Sequence, residues 1–385
     1  MPAGYWIIWT TVALDLVGFG IIVPILGHYA EEFGANGFQV GLMFATFSVA
    51  QMIFAPILGR VSDRIGRKPV IIFSLVGTAV GSVVTGAAGA LWVLFLGRAI
   101  DGASGASVAV AQGAVADIAP PDQRAKLMGM MGAAFGVGFV VGPALGGLAA
   151  LGGPHVPFYV AGAIAGINAI VAIFRLPETK PATTHVRVKV ERRGALSPAL
   201  RRFAIVGFLS SLGFAGFEAT FSLWGKENVN FGFTSGTASL VFVFVGITLV
   251  AVQGGLIGPL TAQLGSRKLL RVGLSLVAVG LLLLSVATSW VVLLIALLLL
   301  SVGQGFASPS GSSLVAELAP VERRGEALGY QQSTAAFGRI AGPVLAGVLF
   351  DQIGISTPFA VSGVLMVAAL AAVWSVTRPT LVAAK

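Results

Sequence analysis

Apolar runs of roughly twenty residues alternate with short polar breaks along this chain, and the rhythm recurs twelve times. Each run is long enough to cross a hydrocarbon layer of about 30 Å as a helix. The pattern predicts helices near 5–29, 38–58, 70–88, 91–114, 127–150, 157–176, 203–224, 235–258, 269–288, 290–314, 327–350 and 356–376. One break is long: residues 177–202, rich in Pro, Thr, Arg and Lys, predict a solvated tether. The expected fold is an all-α membrane protein with twelve transmembrane helices in two six-helix halves, 1–176 and 203–385, joined by the linker 177–202.

Composition agrees with a bilayer as solvent. Of 385 residues, 56% are hydrophobic and 10% charged, and the mean hydropathy is +0.93. A soluble domain carries about 25% charged residues, so a water-soluble globule is excluded. The net charge of +9 is a matter of position more than of sum. With twelve spans both ends share a side, and that side receives every one of the 24 Lys and Arg except Lys226, Arg98 and Arg339. The positive-inside rule then places both termini in the cytoplasm. Anionic inner-leaflet lipid is an incidental partner of the same charge, and nucleic acid is not expected. No basic segment precedes the first span, which reads as an uncleaved helix. Cysteine is absent, so disulfides and thiolate metal sites are excluded.

The chain is duplicated. A-D-I-A-P-P-D-Q-R-A-K-L-M-G from Ala116 returns 200 residues later as A-E-L-A-P-V-E-R-R-G-E-A-L-G from Ala316, and Gly142-Pro143 returns as Gly342-Pro343. Two like-oriented halves match the parallel repeats of transporters, with an axis along the membrane normal and one central site.

Five ionisable residues fall well inside predicted spans, away from their ends: Asp15, Arg98, Asp101, Glu218 and Arg339. Such groups cost about 2.5–3.5 kcal/mol at mid-bilayer, so they face the bundle interior and either pair with each other or serve a pathway. Arg98 and Asp101, at i and i+3, share a helix face and can pair. Asp15 has no cation nearby on its own helix. Desolvation favours the neutral form of a carboxyl and a neighbouring guanidinium the ionised form, so exposure to each in turn would load and release a proton. At the 200-residue offset Arg98 and Asp101 become Leu298 and Ser301. Proton carriage is therefore expected in the first half, on Asp15 and Asp101 tuned by Arg98. Neutral groups for a substrate, Gln304, Ser308, Gln331 and Gln332, are expected in the second, with Glu218 and Arg339 as its charges.

Helix 5 carries Gly138, Gly142 and Gly146 with Pro143, and helix 11 repeats the pattern as Gly338, Gly342 and Ala346 with Pro343. Small residues every fourth position make a flat face for close helix contact. Either this is static packing, or the halves rock along these seams. The loop after helix 2, Gly59 to Lys68, contains Asp63, Arg64, Gly66 and Arg67, while the matching loop from Gly258 to Arg267 has lost the acid. Topology alone accounts for the arginines but not for Asp63.

These residues resemble the major facilitator superfamily, and within it the twelve-helix drug:proton antiporters. Gly59, Asp63, Arg64, Gly66, Arg67 and Lys68 match the loop 2–3 signature, whose acid is implied to latch the cytoplasmic side closed. L-G-R-A-I-D-G, Leu96 to Gly102, is similar to the helix 4 signature, which implies a part in proton transfer for Arg98. Gly138 to Gly147 resembles the helix 5 antiporter signature of exporters, and Leu14 to Leu26 the helix 1 signature, with Asp15 as its acid. The nearest likeness is to tetracycline-type exporters, although helix 9 here carries no carboxylate.

The expected activity is proton-coupled export of amphipathic drugs or related small molecules from a bacterial cytoplasmic membrane by alternating access, by a monomer with no cofactor and no metal. A transporter of one metabolite class and a non-transporting receptor are the alternatives. Enzymatic function is not expected. His28, His155 and His185 lie at helix ends or in loops, and no phosphate-binding G-x-x-x-x-G-K-[ST] segment is present.

Overall fold

A computed structural model describes residue 2 and residues 4–120, 124–179, 198–319 and 324–374. The predicted linker lies mostly outside the described residues, at 180–197. The first half contains α1 (Tyr5–Glu31), α2 (Gly37–Ile65), α3 (Arg67–Gly86), α4 (Leu91–Ile118), α5 (Arg124–Ala150) and α6 (Val156–Arg175). The second begins with α7 (Pro198–Glu227) and ends with α10 (Trp290–Leu318), α11 (Arg324–Gln352) and α12 (Thr357–Trp374). Between them runs one helical stretch, Ser235–Ser285, of 51 residues. Uninterrupted it would measure about 77 Å, more than twice the hydrocarbon thickness. It breaks at Gly265, whose φ of 75° and ψ of 154° leave the helical region, giving α8 (235–264) and α9 (266–285). Gly66 makes the same kind of turn between α2 and α3, at φ 112° and ψ 161°. Both positions need glycine, since a Cβ is strained at positive φ. Twelve spans result among the described residues.

Two helices run furthest past their predicted ends. α2 continues to Ile65 and α8 to residue 264, because their last turns carry polar residues suited to the interface rather than to hydrocarbon. α4 departs from prediction in a different way: it is interrupted at Gly105–Ala106, between Leu91–Ser104 and Ser107–Ile118. Six small residues in a row, Gly102 to Ser107, hold that segment only weakly to helical geometry. Gln51 of α2 donates to the Gly105 carbonyl at 2.9 Å, satisfying an acceptor at the break.

The seam glycines lie inside the halves. A Cβ on Gly142 would come within 2.6 Å of Gly20 Cα on α1, and one on Gly138 within 2.7 Å of the Leu16 carbonyl oxygen. Gly146 faces Ile21. In the second half Gly338 and Gly342 press on α7 in the same way, at Phe208 and Leu212. The contact between halves uses other residues. Gly41 of α2 meets the carbonyl oxygen of Pro343 on α11, Gly246 of α8 meets that of Phe139 on α5, and Gly347 meets that of Gly37.

These cross-half contacts run from mid-bundle to the face opposite the chain ends, here called the distal face. There Lys226 pairs with Glu31, and His28 Nε2 lies 3.3 Å from the Phe233 carbonyl oxygen. Asp351, on the last turn of α11, accepts from the amides of Gly37 (2.9 Å) and Phe38 (2.8 Å) at the start of α2. Toward the terminal face the picture reverses. Gly59 of α2, Gly254, Gly255 and Gly258 of α8, and Gly329 of α11 have open space where a Cβ would sit. Among the described residues, the cross-half contacts therefore lie at mid-bundle and at the distal face.

Candidate functional site

In the first half the ionisable residues converge around the break in α4. Asp15, midway along α1 and partly exposed, accepts a hydrogen bond from Ser107 Oγ at 2.5 Å. Ser107 is the first residue after the break, so the interruption itself brings its hydroxyl to the acid. Asp101 lies within electrostatic reach of Asp15 and pairs with Arg98 Nη1 at 2.8 Å. Arg98 and Asp101 are 2% and 5% exposed, so the pair is buried in the first half. Thr78 of α3 also bonds Asp101, and the Arg98 guanidinium carbon lies 4.6 Å from the centroid of the Phe47 ring on α2. Arg98 Nε is buried without a hydrogen-bond partner among the described residues.

The arrangement distinguishes two carboxylates. Asp101 is held by a fixed cation in a closed pocket. Asp15 is held by a neutral hydroxyl and stays partly exposed. A carboxyl with a neutral donor can gain or lose its proton without leaving a buried cation unpaired, which is what a proton carrier requires.

The second half brings Glu218 of α7 and Arg339 of α11 within electrostatic reach of each other. The α7–α11 contact at Gly216, Gly338 and Gly342 places them. Arg339 is exposed and Glu218 half-buried. Pro343, one turn from Arg339, turns its carbonyl to the first half, so Arg339 points into the space between halves. Gln331 does not join them. It sits eight residues away, about 12 Å along the helix, wedged between Gly207 of α7 and Gly311 of α10, with its Oε1 buried and unpartnered among the described residues. Gln304 is half-buried on α10, between glycines that pack on α9 and α8.

The loop 2–3 residues form a cluster of their own. Arg67 bonds Asp63 at 2.6 Å, Asp117 of α4 at 3.0 Å and Ser62 Oγ at 2.7 Å. Glu178, just past α6, accepts from the Arg67 and Lys68 amides at 2.8 and 3.2 Å. Its carboxylate fills the space where a Cβ on Gly66 would sit. Arg64 is exposed, and Gly59 has open space beside it. Sequence reasoning missed Ser107, Thr78, Phe47, Asp117, Glu178 and Asp351. Asp117 alone left a trace, as the acid of a repeated segment.

Twelve helices in two halves around a central space, with buried charge in each, define a secondary-transporter architecture. Comparison with known proteins gives the family. The sequence profile of the Major Facilitator Superfamily matches residues 8–258 and 203–385, and the chain belongs to that superfamily. It is 36% identical to the class E tetracycline resistance protein of Escherichia coli over 359 residues, covering 88% of this chain and 85% of that one. It is 30% identical to multidrug resistance protein 1 of Bacillus subtilis (strain 168) over 357 residues, covering 92% and 91%. Among solved structures, the human organic anion transporter MFSD10 (TETRAN) superposes with a TM-score of 0.74 at 25% identity, over 97% of this chain and 100% of that one. The nucleoside transporter NupG superposes with a TM-score of 0.75 at 16% identity, over 97% and 100%, which is a likeness of fold.

Proposed function

We propose that this protein exports amphipathic drugs or related small molecules in exchange for protons across a bacterial cytoplasmic membrane, as a single chain with both termini in the cytoplasm. The observation that carries the proposal is Asp15: a partly exposed acid in mid-membrane, held by Ser107 and backed by the Arg98–Asp101 pair. Tetracycline and multidrug resistance relatives support the direction and the class of substrate. The basic residues gathered on the terminal face support the orientation. In that orientation the described cross-half contacts lie on the outer side, which leaves the cytoplasmic side as the proposed entrance.

A cycle follows from the geometry. From the open side a substrate reaches Arg339 and Glu218, while Asp15 gives its proton to the cytoplasm. The halves then close over the substrate, the distal contacts part, and Asp15 is reprotonated from outside as substrate leaves. Arg67, Asp63 and Asp117 are already assembled on the first half for the cytoplasmic closure.

The test uses inverted membrane vesicles acidified by respiration, with a pH-sensitive dye and added drug-like cations, neutral drugs and single metabolites. Drug-induced dequenching that disappears in Asp15→Asn, with the variant inserted at wild-type level, is the expected result. Wild-type dequenching by Asp15→Asn would refute the role of Asp15, and a response confined to one metabolite would replace the drug assignment.

A further inference from the structure

His28 stands on α1 at the boundary between the halves. Beside it, Gly27 packs so closely on α7 that a Cβ would lie 3.2 Å from Ser222 Oγ and 3.3 Å from Leu223 Cδ2. The half-buried imidazole reaches across to the α7–α8 loop, with Nε2 3.3 Å from the Phe233 carbonyl oxygen. A carbonyl oxygen only accepts, so Nε2 carries the proton. Nδ1 is then the bare nitrogen of a neutral ring, and it is buried with no hydrogen-bond partner among the described residues. The carbonyl itself is fixed in place. The Phe233 amide donates to the Gly225 carbonyl oxygen at 2.8 Å, and the Phe233 ring fills the space where a Cβ on Gly225 would sit. That ring also stacks on Trp290, with centroids 5.6 Å apart. All these partners belong to the second half, so when the distal contacts part, Phe233 stays with them and the His28 ring meets water.

Protonating His28 in the closed arrangement would add an N–H at Nδ1 with no acceptor, and a charge in a half-buried place. With the contacts parted, water accepts that hydrogen bond. The charged neighbours do not reverse this preference. Glu31 on the same helix and Lys226 on α7 both lie within electrostatic reach of His28, but they pair with each other, so their effects on the ring oppose. Glu227 of α7 and Asp351 of α11 belong to the same charged group, and Asp351 is committed to the amides of α2. Glu32 is exposed and within electrostatic reach of Tyr29. The α7–α8 loop and the start of α8, residues 228–240, carry no charged side chain. His155 offers a contrast on the same face. Its Nδ1 lies 2.7 Å from the Tyr29 hydroxyl oxygen and 2.9 Å from the Gly86 carbonyl oxygen, both in the first half, so distal opening leaves its partners in place.

We propose that His28 is a proton site on the distal gate, unloaded while the gate is closed and loaded when it opens, so that external acid favours distal opening. The proton enters and leaves on the external side, and it adds nothing to the number carried per cycle. One proton linked to opening changes the open-to-closed ratio by at most about tenfold per pH unit. The gate therefore yields most readily when the outside is acid, which is when protons are available to drive exchange. The inference rests on the proposed function only for the orientation that makes the distal side external, and it holds whichever residue carries the coupled proton.

The test is the distribution of spin-label distances across the distal ends of α2 and α11, in the full-length purified protein in lipid nanodiscs, between about pH 8 and about pH 6, where a histidine changes charge. The elution profile and Tm confirm that each variant is folded. The distal-open fraction should rise severalfold as the pH falls in the wild type, in His155→Gln and in Asp15→Asn, and should stay near its starting value in His28→Gln. His28→Asn takes the place of His28→Gln should that variant misfold. No rise in the wild type, or a full rise in the folded His28 variant, would overturn the proposal. A rise lost equally in His155→Gln would refute the contrast between the two histidines and the assignment with it, and a rise lost in Asp15→Asn would move the response to that acid. The vesicle exchange assay on Asp15→Asn is decided independently of these outcomes, so the gate and the proton carrier fail separately.

Discussion

At the scale of single residues, the division of labour between Asp101 and Asp15 makes a prediction about stability. Arg98 is the buried counter-charge of Asp101, and removing one member of such a pair leaves the other uncompensated, at a cost of about 3–5 kcal/mol. Arg98→Ala should therefore lower the Tm well below that of the double variant Arg98→Ala with Asp101→Ala. Equal Tm values would mean that the pair is not the buried unit described here. Arg98→Lys should also fail to restore activity, because a lysine cannot both reach Asp101 and lie flat over Phe47. The five intramembrane charges were legible in sequence because an ionised group in hydrocarbon is costly enough to demand a reason. Ser107, Thr78 and Phe47 were not. A serine or threonine in a span satisfies its hydroxyl on its own helix at little cost, and a phenylalanine there is unremarked among apolar neighbours, so neither residue type marks its own role.

At the scale of helices, two sets of glycines should respond differently to the same change. Gly142 packs α5 on α1 within one half, and Gly41 packs α2 on α11 across the halves. Gly142→Ala should cost roughly 1–3 kcal/mol of stability as an overpacked contact, read as a lower Tm, and leave the balance of conformations alone. Gly41→Ala should leave the Tm of the fold nearly unchanged but oppose distal closure, so that a cysteine placed at Phe38 gains reactivity toward a membrane-impermeant maleimide. If Gly142→Ala opened the distal face instead, the seam would be the moving joint. Spacing of four announced that α5 and α11 meet something closely, yet it could not name the partner, because small-residue stripes look alike whichever helix lies on them. The break in α4 was hidden for a related reason. Glycine is common in membrane helices, and among 52 of them nothing local singles out Gly105, whereas Gly265 falls in the predicted loop from Gly258 to Arg267.

At the scale of the whole molecule, the twelve spans, the duplication and the charge asymmetry were all legible, since each follows from the solubility of long segments. Which face is closed was not, because both conformations of a rocking bundle are written in the same sequence. The distal closure rests on unequal contacts. Lys226–Glu31 is an ion pair whose lysine is 46% exposed, worth less than about 1 kcal/mol. The Asp351 carboxylate on the amides of α2 combines two charge-assisted bonds with a helix dipole, about 1–2 kcal/mol or more. Asp351→Asn should shift the population toward distal opening about tenfold, read as lengthened spin-label distances between the distal ends of α2 and α11, while Lys226→Ala should shift it little. Equal shifts would reject this ranking. Much of the rest of that closure is main chain against glycine: Gly41 on the Pro343 carbonyl, Gly246 on that of Phe139, Gly347 on that of Gly37. Because the gate is shaped by backbone, side chains lining the cavity are free to change without spoiling its fit. Selection for a new cargo should then draw its substitutions from the proposed substrate positions, Glu218 and Arg339, while those three glycines stay fixed, which makes the transporter easy to retarget and hard to jam.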